Sequence, residues 1–154
     1  MSITVRSPAD KDEIYAFLRR DPVYAAYAIG DLEAELFAAC TWRLAVDHGQ
    51  TQALALVYWQ LSPPVLLTIG ETAGLAAIFQ QTSLPGHIYM NARLEHLPLL
   101  AAHYDFSADR IRPMLRMSIT GESFRPAQPD EDAPGAQLAL RRLGPADARA
   151  MRQL

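Results

Sequence analysis

Four histidines, a single cysteine and a few closely spaced carboxylates are the residues on which chemistry could rest in this 154-residue chain. His96 and His103 stand seven apart, a spacing that aligns two side chains on one helix face, and Glu95 and Asp105 lie nearby as oxygen donors. Pro98 argues against that shared face. Proline favours the first turn of a helix, which leaves His96 in front of it. No His-Glu-x-x-His pattern occurs, so His48, His87, His96 and His103 read as surface or hydrogen-bonded histidines and no metal is expected. Cys40 has no second cysteine to pair with. As a nucleophile it would need a neighbouring base, and in Ala38-Ala39-Cys40 it reads as a small apolar residue. Glu33 and Glu35 are two apart, so on a helix they do not face each other as an acid/base pair. No Gly-x-Ser-x-Gly nucleophile motif is present.

Charge excludes further classes. The formal net charge is −3, Lys11 is the only lysine, and no basic run occurs. A nucleic-acid partner would leave a basic stripe, so that class is disfavoured. The aromatic residues Tyr15, Tyr24, Tyr27, Trp42, Tyr58 and Trp59 lack interleaved basic residues, so they read as core and not as a base-stacking platform. Asp10, Lys11, Asp12 and Glu13 stand where a signal peptide would need an apolar core. Residues 49–70 carry no charge, but Gln52, Gln60, Ser62 and Pro63-Pro64 interrupt them as a membrane span. The chain therefore reads as soluble and cytoplasmic. Half of its residues are apolar and a fifth are charged, as in a globular domain.

The elements that would position these residues follow from periodicity. Ile3 to Arg6 is a short strand, and Ser7-Pro8-Ala9-Asp10 opens a helix with serine as the cap. Ile14, Phe17 and Leu18 form its apolar face. Asp21-Pro22 starts a second helix with a stripe at Ala25, Ile29, Leu32 and Leu36. Trp42, Leu44 and Val46 alternate with polar or small residues as a half-buried strand, and His48-Gly49-Gln50 is a turn. Ala53 to Trp59 is apolar enough for a central strand, and Val65 to Ile69 is the next. Thr72 caps a third helix with Leu75, Ile78 and Phe79 buried. His87 to Asn91 is a strand, Pro98 starts a fourth helix running to about Tyr104, and Met114 to Ile119 is a last strand. Residues 121–136, with Pro126, Pro129, Pro134 and Asp130-Glu131-Asp132, form a linker. Residues 137–154 then echo the opening: Leu143-Gly144-Pro145-Ala146-Asp147 follows a short apolar strand, as Ser7-Pro8-Ala9-Asp10 does. They read as the start of a second, similar domain, or as the final strand and helix of the first.

The order strand, two helices, three strands, helix, strand, helix, strand over residues 1–120 resembles the GNAT N-acetyltransferase superfamily, in particular its tandem members. Tyr27-Ala28-Ile29-Gly30-Asp31-Leu32 is similar to a segment of the second helix in such proteins. Tyr104-Asp105-Phe106 with Met114-Leu115-Arg116-Met117 is similar to the family's last helix and following strand. The resemblance implies an α/β fold with a mixed, mainly antiparallel sheet and helices on both faces. It also implies acetyl-CoA as cofactor and an amine as acceptor. In active members the loop after the fourth strand reads Arg or Gln, two residues, Gly, one residue, Gly or Ala, and its amides hold the CoA pyrophosphate. Here Ile69-Gly70-Glu71-Thr72-Ala73-Gly74-Leu75 spaces its glycines too widely, lacks Arg and Gln, and sets Glu71 beside the phosphates. Gly70, Thr72 and Gly74 are thus either a divergent cofactor loop or a tight turn. Ala101 holds the position of the family's general acid. Tyr104 takes the role if the register shifts, and is otherwise a partly buried helix-end tyrosine. Asp31, Glu33 and Glu35 lie on the acceptor side in this family, as amine-binding residues or as a solvated acidic face. Three readings result. The chain is a degenerate, non-catalytic half beside an active second GNAT-like domain, binding no acetyl-CoA by itself. Alternatively it is an active acetyltransferase with an atypical loop at 70–74, or a small-molecule-binding or dimerisation module.

Overall fold

Consecutive residues of the longest strand belong to two different cores, and that alternation organises the molecule. The computed structural model describes residues 3–125. Strands β1 (Thr4–Arg6), β2 (Cys40–Asp47), β3 (Gln50–Tyr58), β4 (Val65–Gly70) and β5 (Tyr89–Asn91) form one five-stranded sheet in sequence order. The first four are antiparallel neighbours, and β5 runs parallel to β4. Along β3, Leu54 and Leu56 pack with Ile14, Phe17 and Leu18 of helix α1 (Lys11–Leu18) and Ala28 of α2 (Ala26–Gly30). Ala53, Ala55 and Val57 pack instead with Leu75, Ile78 and Phe79 of α4 (Thr72–Gln81) and Leu100 of α5 (Leu97–Ala101). Period-two burial with apolar residues at every position is what a strand covered by two cores requires. The fold is thus α/β with a mostly antiparallel sheet, as the residue pattern and the resemblance imply.

The β2–β3 hairpin closes over His48 and Gly49, both at positive φ (48° and 78°), between the paired Asp47 and Gln50. A two-residue loop of this hand matches the twist of its strands. Gly74 serves a different end. A Cβ there would sit 2.7 Å from the Ala53 Cβ and 3.3 Å from the Ala45 Cβ, so glycine lets α4 lie directly on β2 and β3.

The sequence expectations need four corrections. The cap of α1 is Asp10, whose carboxylate accepts the Glu13 amide at 2.8 Å, and not Ser7, whose hydroxyl accepts from Arg43. Glu13 in turn accepts the Ala9 amide and pairs with Arg6, so the Asp10-x-x-Glu13 spacing outcompetes the serine. The expected second helix is two short ones, α2 and α3 (Ala34–Ala38). Gly30 and Asp31 are poor helix formers. The Lys11 ammonium donates to the Leu32 carbonyl at 2.7 Å, at the break between the two helices. Thr72 does not cap α4: the cap residue is Glu71, and no side chain bonds the helix end. Lastly, Met114 to Ile119 forms no strand. Its apolar side chains are exposed, Leu115 to 93% and Met117 to 91%. A strand needs a ladder partner, and β5 is only three residues long.

The described residues fall into one unit ending at Ser118 and the beginning of another from Ile119, where Thr120 to Phe124 make a hydrogen-bonded turn. The linker beyond Arg125 and the restarted pattern at 137–154 lie outside the described residues. No helix among the described residues is long and apolar enough to cross a membrane.

Candidate functional site where two strands part

The pairing of β4 with β5 covers Val65↔Tyr89, Leu66↔Met90 and Leu67↔Asn91, and then stops. Beyond it, Thr68, Ile69 and Gly70 continue β4 with no partner on that side, although β3 still pairs with them on the other. Backbone groups left free in a protein interior must find other partners. The chain supplies them from its own side chains. His96, in a 3₁₀ turn (Leu94–His96) just before α5, is completely buried and bonds the Gly70 carbonyl through Nε2 at 3.0 Å. Its Nδ1 lies 3.0 Å from the Thr68 hydroxyl. The Tyr24 hydroxyl donates to the Thr68 carbonyl at 3.0 Å.

The protons in this network follow from its acceptors. A carbonyl only accepts, so His96 Nε2 carries the hydrogen, Nδ1 is the acceptor, and the Thr68 hydroxyl donates to it. Burial lowers the His96 pKa, more than its carbonyl bond and Glu95 raise it, so the ring is neutral. Both nitrogens are engaged. His96 therefore offers no free lone pair to a substrate proton or to a metal, and its work here is to close the space between the strands. No group of three or more potential metal ligands exists among the described residues.

Tyr24 connects this interior to a surface groove of about 1360 Å³, lined by β5, the turn before α5 and segment 105–116, which contains a 3₁₀ turn at Ala108–Arg110. The Arg93 guanidinium lies 4.5 Å from the centre of the Tyr24 ring, and that of Arg116 lies 5.0 Å from it. Burial pushes the Tyr24 phenol up, and the two arginines hold part of that rise back.

The residues singled out in the sequence lie around this place but do not converge on it. Gly70 has φ 100°, and a Cβ there would come within 2.3 Å of the Gln52 carbonyl oxygen, so glycine is required by the approach of β3. Thr72 opens α4 and is exposed, while Gly74 is buried one turn into the helix against β3. Tyr104 is half-buried, set edge-on to Phe79 with ring centres 6.3 Å apart, and burial raises its pKa. Asp31 ends α2, and its carboxyl is pushed up by burial. Glu33 and Glu35 are exposed at the start of α3. Among the described residues these three carboxylates make no ion pair. Cys40, half-buried beside Asp31, has its thiol pushed up to about 12 by burial and then by that carboxylate, the opposite of nucleophile activation.

Sequence reasoning missed Tyr24, Thr68, Arg93 and Arg116, and gave His96 no role. One signal was available. Thr68 is the single hydroxyl in the buried run Leu66-Leu67-Thr68-Ile69, and a buried hydroxyl needs a partner. No protein-family model matches this chain, and neither a curated protein nor a solved structure matches it.

Proposed function

We propose that this chain is a GNAT-like domain that does not carry out acetyl transfer itself, a non-catalytic half that packs against an active second GNAT-like domain and shapes its acceptor site. In this reading helices cover both faces of the sheet, and the full protein acetylates a small-molecule amine in the cytoplasm. The observation that carries the reading is the filled space beyond Leu67. In the family this chain resembles, the parting of the fourth and fifth strands is the cofactor cleft. Here His96 and Tyr24 occupy it and use the carbonyls of Gly70 and Thr68. Two further facts support it. Glu71 stands exposed at the turn into α4, where a pyrophosphate would meet like charge. Tyr104 packs on Phe79, and Ala101 has no proton to donate.

The test is turnover. The chain is incubated with acetyl-CoA and a panel of primary amines, and release of the CoA thiol is followed. The expected result is release no faster than without protein. Sustained release that depends on an amine and saturates with acetyl-CoA would overturn the reading in favour of an active enzyme with an atypical loop.

A further inference from the structure

We propose that the groove between β5 and segment 105–116 binds a small organic anion, a carboxylate or phosphate ester, held by Arg116 and Arg93 beside Tyr24. The site goes beyond the acetyltransferase reading and stands without it. Its charge is the first argument. The chain carries a formal net charge of −3, yet four arginines, Arg93, Arg110, Arg112 and Arg116, line the groove against three carboxylates. Arg93 is paired with Asp21 and lies 4.0 Å from Glu95. Arg116 has no carboxylate within ion-pair distance among the described residues.

Positioning is the second argument. Arg116 lies 4.9 Å from the Tyr27 ring centre as well as 5.0 Å from that of Tyr24, and one of its Nη groups donates to the Val23 carbonyl at 3.2 Å. Stacking and one backbone bond fix the guanidinium while leaving most of its five N–H donors unspent. Two guanidinium groups share the Tyr24 ring, and only Arg93 has its charge balanced. An oxyanion would balance the unpaired Arg116 charge with charge-assisted hydrogen bonds. A cation would be repelled by Arg116, and a neutral amine would leave its charge unbalanced. Ile88, Met90 and Phe106 also line the groove, so the ligand class is an anion with an apolar body.

The probes are phenyl phosphate and benzoate, with benzylamine as the cationic counterpart, each titrated into the intact chain at low ionic strength and followed by NMR. The expected result is saturable binding of at least one anion, with shift changes at Tyr24, Tyr27 and β5, and no saturable binding of benzylamine. Arg116→Gln should weaken the anion about tenfold or more, the loss expected for a charge-assisted hydrogen bond. Arg116→Lys keeps the charge and loses the fork, and should also weaken it, which preserves the test if the glutamine variant folds poorly. Absence of saturation by both anions, equal affinity for benzylamine, or unchanged affinity in both variants would overturn the proposal. Acetyl-CoA binding at the Gly70 turn would contradict the proposed function without touching this site.

Discussion

Two residues from distant parts of the sequence, Tyr24 and His96, take the place of the strand that β4 lacks beyond Leu67, and the Thr68 hydroxyl of β4 binds His96 in turn. Because the Thr68 hydroxyl and the His96 ring are both completely buried, each depends on the other for satisfaction. Thr68→Val keeps the shape but strips His96 Nδ1 of its donor. It should cost about 1–3 kcal/mol, the penalty of an unsatisfied buried polar atom, read as a shift in urea midpoint with unchanged slope. A cost near zero would mean that the bond does not hold the two together. The pH response follows from the same burial. The folded His96 has a pKa below its usual 6.5, so between the two values the unfolded chain binds more protons. Its contribution to stability is complete above about 6.5 and declines as the pH falls towards the folded value. Urea midpoints at pH 7.5 and 5.5 should therefore drop more in the wild type than in His96→Gln, and equal drops would contradict the neutral buried ring. Thr68 was legible in the sequence as a lone hydroxyl in an apolar run. Its partners were not, since nothing in a sequence says that residues 24 and 96 meet beside it.

At the scale of elements, what the sequence disclosed is what local periodicity controls. The β2–β3 hairpin, the doubly buried β3 and the apolar stripe of α4 all come from patterns that need no distant partner to be read. The misreadings come from long-range competition. Lys11 reaches from α1 to the Leu32 carbonyl, twenty-one residues away, where the expected second helix is broken. The alternation at Leu115, Met117 and Ile119 suits a strand but has no ladder to join among the described residues. The α1 cap was misplaced by three residues because Ser7 and Asp10 are both good caps, and only the Glu13–Arg6 pair distinguishes them. Asp10→Ala should accordingly lower stability by about 1 kcal/mol, and Ser7→Ala by clearly less, as compared by thermal melts. The reverse order would return the cap to Ser7.

For the whole molecule, the α/β class and the mostly antiparallel sheet were readable from the order of elements, because each strand's neighbour in sequence is its neighbour in the sheet. A mixed sheet was implied by the resemblance, but the residue at which β4 and β5 part was not legible. It depends on where a three-residue ladder ends, which no periodicity encodes. That parting is also where the functional account rests, since the space there belongs either to a cofactor or to the protein's own side chains. Calorimetric titration of the chain with acetyl-CoA decides between them. In Arg116→Gln, which lacks the proposed anion site, and with His96 and Tyr24 holding the carbonyls of Gly70 and Thr68, no saturable heat should develop up to about 1 mM ligand. A one-to-one isotherm with micromolar affinity in that variant would contradict the account.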